Sequence, residues 1–136
     1  MYLKKKCFKL KMDLDVRRFV LRLKLQKKVG DAVQNCAVFL REELKRQGEI
    51  VQGYAVTETG EKLQYYWVED TKGNVYDICF EMAKLNMPAI ENIKFTLIKE
   101  SPETFDKDDH NQELFKLYQD EPSKFWTTVP RMKKSS

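Results

Sequence analysis

The sequence predicts an α+β fold, a small antiparallel sheet packed against a cysteine-bearing helix in the N-terminal part of the chain, and three observations carry that prediction. Residues 31–47 hold an apolar stripe at helical spacing, Val33, Ala37, Leu40 and Leu44, between Asp31 as a candidate N-cap and Gly48 as a stop. Three strand-like runs follow, 50–57, 63–69 and 74–78, separated by Thr59-Gly60 and by Lys72-Gly73-Asn74, both turn signals of an antiparallel meander. Across 136 residues, 42% apolar and 34% charged composition suits one globular domain and excludes a disordered chain.

The elements before the helix are ambiguous. Phe8, Leu10, Met12, Leu14 and Val16 alternate with polar residues, the period of a half-buried strand. Alternatively, Asp13 or Asp15 caps a helix that runs through Arg17, Phe19, Val20 and Leu23 to Val29 and stops at Gly30. The reading adopted is a short strand or extended arm followed by that helix.

Beyond the meander, residues 80–85 read as a short helix closed by Asn86-Met87-Pro88, and 93–99 as a further strand carrying Phe95 and Leu97. Residues 101–111 read as an acidic surface loop, and 112–119 as a short helix. In the C-terminal tail, 122–136, Phe125 and Trp126 require a surface to bury against, whereas 131–136 read as frayed. No repeat or linker divides the chain, so 1–136 is expected to form a single domain.

Charge is unevenly distributed. Residues 1–29 hold eleven Lys or Arg against two Asp, a net +9, and the remainder holds fourteen against nineteen, a net −5. Such a basic segment is either a solvated helix face or a docking element for an acidic protein surface or, non-specifically, for nucleic acid. Three cysteines, Cys7, Cys36 and Cys79, are an odd number, and no signal-like apolar run follows the charged start; the expectation is an intracellular, reducing setting without a signal peptide. No stretch approaches the roughly eighteen apolar residues of a membrane span. Without a Gly-rich phosphate loop or Cys and His pairs at metal spacing, neither a cofactor nor a metal is expected.

Cys36 falls in the first turns of the 31–47 helix, where unpaired N–H groups and the helix dipole lower a thiol pKa. The competing reading is a small core hydrophobe. Context enlarges the first. The run from Asn35-Cys36-Ala37 to Gly48, then Gly53-Tyr54, Tyr65-Tyr66-Trp67-Val68 and Asn74-Val75-Tyr76-Asp77 resembles the transglutaminase-like superfamily of the papain-type cysteine fold. There a cysteine opens a helix, a strand closes in Gly-Tyr, the next carries His-x-Trp-Val, and an aspartate lies on the strand after. The resemblance covers about residues 33–80.

It implies Cys36 as nucleophile and Asp77 as the orienting carboxylate, with Tyr65 where the general-base histidine belongs. A phenol with an ordinary pKa of about 10 cannot take a proton from a thiol at neutral pH. The resemblance therefore implies a degenerate triad, Cys36, Tyr65 and Asp77, in a domain that serves as a binding or structural component of an assembly. The alternative is a working thiol enzyme on amide bonds, with Cys36 activated by the helix end and by Asp77 or Glu69 through water. His110, the single histidine, sits in an acidic segment outside the motif. The spatial expectation is a Cys36 thiol facing Tyr65 across a cleft, with Asp77 behind it; aromatic packing alone is the plainer account of Tyr65, Tyr66, Trp67 and Tyr76.

Overall fold

A computed structural model describes residues 2–5, 10–100 and 110–133, with side chains from residue 15 onward. Its elements are β1 (Tyr2–Lys5), α1 (Leu10–Leu25), α2 (Ala32–Glu42), β2 (Gly48–Thr57), β3 (Lys62–Asp70), β4 (Val75–Tyr76), α3 (Ile78–Asn86), a 3-10 turn (Pro88–Asn92), β5 (Phe95–Lys99), α4 (His110–Asp120) and α5 (Pro122–Thr128). The α+β class is as expected. The sheet is antiparallel throughout, in the order β1-β5-β2-β3-β4.

The N-terminal reading needs correction. The strand lies earlier than expected, at β1, and most of residues 8–16 is the first half of α1. Apolar residues at every second position also supply i,i+4 pairs, and those at Val16, Phe19, Val20 and Leu23 continue a helical stripe. All four are at most 1% exposed, so burial of the stripe decides for helix. Cys7 and Phe8 lie outside the described residues, as does most of the expected 101–111 loop.

Helix α2 also ends sooner than expected. Past Glu42 the chain unwinds through Lys45 and Arg46, both with left-handed backbone (φ 52° and 64°), and the Arg46 N–H returns to the Leu40 carbonyl. β2 then pairs with β3 in the register Val51↔Trp67 and Gly53↔Tyr65. A Cβ on Gly53 would lie 2.0 Å from the Ile98 carbonyl oxygen and 2.7 Å from the Trp67 ring, so only glycine lets β5 and the indole close over β2.

Strand alternation gives the sheet two packed faces. Ile50, Tyr54, Tyr66 and Val68 meet α1, α2 and the α4–α5 pair in the main core. Val51, Ala55, Trp67, Val75 and Leu97 form a second, smaller cluster, with Tyr65 and Phe95 at its margin.

The tail is a helix, not an unstructured segment. Phe125 and Trp126 lie on α5, edge to face at 5.3 Å, with Arg46 4.3 Å above the indole ring. Residues 131–133 are anchored rather than frayed: Met132 is buried, and the Gln26 amide exchanges two hydrogen bonds with the Lys133 backbone.

Candidate functional site

β4 is only two residues long, and Val68↔Tyr76 is its pairing nearest to Tyr65. Beyond it the chain turns into α3, so the first turn of α3 occupies the edge of β3 where a longer fourth strand would have run. This corrects the expected 74–78 strand. Asp77 is the N-cap of α3 rather than a strand residue, and its Oδ1 accepts the Phe80 N–H at 2.9 Å.

The same oxygen accepts the Tyr65 hydroxyl at 2.8 Å. Burial, the charge of Asp77 and the hydrogen bond to it all push the Tyr65 phenol well above its usual pKa. At neutral pH this phenol donates a proton and accepts none. Its ring packs on Phe95 at 5.8 Å, and Phe95 meets Phe80 at 5.1 Å.

Cys36 lies elsewhere in the packing. It is the fifth residue of α2, past the first turn, and is fully buried in the main core with Tyr66 and Val68, whereas Tyr65 belongs to the second cluster. Its sulfur meets Cys79 on α3. Cys79 donates its own proton to the Tyr66 carbonyl at 3.4 Å, which leaves Cys36 as the donor of the bond between the two thiols. That hydrogen bond, burial, and the charges of Cys79 and Asp77 raise the Cys36 pKa well above the ordinary thiol value.

The helix-end activation expected from sequence is thus reversed, for identifiable reasons. Asp31 stands at the N-cap position but makes no side-chain cap bond. The N-terminal groups are taken up locally: Asn35 bridges the Gly30 N–H and carbonyl, and Asn111 of α4 accepts the Val33 N–H at 3.0 Å. The thiol projects into an apolar core that favours its neutral form.

The first turn of α3 therefore joins two halves that do not meet directly: Asp77 holds Tyr65, and Cys79 holds Cys36. The cleft-facing arrangement of Cys36 and Tyr65 is replaced by this relay of contacts. Glu69, considered as an activator through water, is committed to the Trp67 indole N–H at 3.0 Å. His110 opens α4 at the surface, 3.3 Å from Asp31 and 3.9 Å from Glu113. A surface hollow of about 170 Å³, lined by Arg17, Glu81, Lys84, Leu85, Pro88 and Glu91, includes none of Cys36, Tyr65 or Asp77. Among the described residues no His, Cys, Asp and Glu cluster is placed to hold a metal ion, and no helix is long and apolar enough to cross a membrane.

Cys79 is the site residue that sequence reasoning missed. Its one signal is its place two residues after Asp77, at the head of a helix. Comparison with known protein families, with curated proteins and with solved structures found no match.

Proposed function

We propose that this chain is a catalytically degenerate, transglutaminase-like domain, a pseudoenzyme that serves as a binding or structural component of a protein assembly. The observation that carries the reading is the Tyr65–Asp77 hydrogen bond, in which a phenol occupies the partner position of the orienting carboxylate and deletes the proton shuttle. Two further features support it. Cys36 is 0% exposed and its thiol is held protonated, and the order helix, Gly-Tyr strand, Tyr-x-Trp-Val strand, aspartate matches the resembled pattern.

Binding then falls to the surface. Arg17, Arg18, Lys24 and Lys27 are exposed on and just after α1, a basic face suited to an acidic protein partner and, non-specifically, to a phosphate backbone. Free Cys36 and Cys79 thiols fit an intracellular, reducing compartment.

The test is acyl transfer to the thiol. The full chain, incubated at neutral pH with an activated ester such as p-nitrophenyl acetate, is digested and its cysteine peptides are weighed. The reading predicts no acyl adduct on Cys36 and no turnover above the buffer rate. An acylated Cys36 that forms and then hydrolyses would replace it with the thiol-enzyme alternative.

A further inference from the structure

Apart from its bearing on catalysis, the contact between Cys36 and Cys79 joins two helices through their side chains. Cys36 comes from the middle of α2 and Cys79 from the first turn of α3. The two sulfurs are close enough to share a hydrogen bond, and both thiols are free. Their access to solvent differs: Cys79 is partly exposed at the edge of β3, and Cys36 is sealed beneath it. An exposed thiol backed by a buried one is the arrangement in which the first is oxidised by a small reagent and the second resolves the product.

We propose that Cys36 and Cys79 are a peroxide-responsive dithiol pair whose disulfide clamps α2 to α3. The Cys79 sulfur attacks one oxygen of the peroxide; the O–O bond breaks, water leaves, and Cys79 becomes a sulfenic acid. The Cys36 sulfur then attacks the Cys79 sulfur, the S–O bond breaks, a second water leaves, and the S–S bond forms. Two thiols give up two electrons and two protons, and one hydrogen peroxide is reduced to two waters. The product fixes the turn that carries Asp77, and with it the anchor of Tyr65, to the core helix. It also closes a long loop spanning β2, β3 and β4, so the unfolded chain loses freedom.

This pair does not depend on the pseudoenzyme reading, because oxidation enters through Cys79 and needs no nucleophilic chemistry at Cys36 toward an ester.

The experiment uses the full chain, fully reduced and then treated with hydrogen peroxide near stoichiometry under native conditions. Remaining thiols are blocked, and the digest is mapped by mass spectrometry without reductant. The expected product is a Cys36–Cys79 cross-linked peptide as the main oxidised species, with the melting temperature raised by about 10 °C and restored by dithiothreitol. In a Cys79→Ser chain, oxidation of Cys36 should slow at least about tenfold, since its thiol then has no exposed relay. Cys79 accumulating as sulfinic acid while Cys36 stays reduced would overturn the proposal, as would a dominant bridge to Cys7. Cys36 oxidising as fast in Cys79→Ser as in the unaltered chain would refute the route through Cys79.

Discussion

Two tyrosine–aspartate pairs flank β4, and they differ in what surrounds them. At one end Tyr76 donates to Asp70 Oδ2 at 3.0 Å, and Asp70 also receives the N–H groups of Lys72 and Asn74 and the Asn74 amide. At the other, Tyr65 donates to Asp77, whose second described donor is the Phe80 N–H. Burial alone would raise the Asp70 pKa, but its hydrogen bonds with Asn74, Lys72 and Tyr76 outweigh it, and the carboxyl settles below its ordinary value. Asp77 is 4% exposed and ties a helix to a strand edge beside two thiols. The same chemical pair is a turn clamp in one place and a buried joint in the other. A tyrosine–aspartate bond therefore names no function until its surroundings are known.

Removing the two carboxylates should separate these roles. Asp77→Ala strips a buried helix cap and leaves the Tyr65 hydroxyl without its acceptor, and a loss of about 2–4 kcal/mol is expected in urea unfolding. Asp70→Ala opens a turn whose donors can turn to water, so about 1–2 kcal/mol is expected. Equal losses would mean that Asp77 is no more a joint than Asp70.

Tyr65→Phe keeps the ring on Phe95 and the cap on Phe80, and should cost about 1 kcal/mol. A loss as large as that of Asp77→Ala would make the hydroxyl, not the cap, the dominant element.

Proton linkage sharpens the contrast at both ends of the pH scale. The lowered Asp70 pKa contributes stability that is present above its ordinary value of 3.8 and is lost as pH falls through the folded value; Asp70→Asn should flatten that acid limb. Tyr76 is pushed up to about 12 by burial, the hydrogen bond to Asp70 and its charge, so its contribution is intact below pH 10 and fades as pH rises toward 12. Tyrosinate absorbance should show the Tyr76 step moving down in Asp70→Asn while Tyr65 stays put.

How much of this was legible in the sequence depended on whether local pattern and tertiary burial agreed. In α2 and the β2–β3 hairpin they did: Val33, Ala37 and Leu40 are all buried, and Thr59-Gly60 turns the chain where expected. Around residues 8–16 they conflicted, because an every-second-residue pattern also contains helical i,i+4 pairs, and packing of Val16 and Phe19 chose the helix. The alternation of β3 was readable, and it places Tyr65 with Trp67 and opposite Tyr66. The Tyr65–Asp77 pairing followed from the resembled motif; the helix-cap position of Asp77 did not, since a two-residue β4 leaves no periodicity to read. Nor did the Cys36–Cys79 contact, which joins segments far apart in sequence and exists only once α2 and α3 pack.

The account turns on a thiol that is present, buried and unactivated. Its most direct measurement is the rate of iodoacetamide alkylation of Cys36 and Cys79 in the native chain between pH 6 and pH 10, followed peptide by peptide. Cys36 should react at least about tenfold more slowly than Cys79 at pH 7, with a rate still climbing at pH 10. A Cys36 that outpaces Cys79 and reaches its plateau below pH 7 would contradict the account.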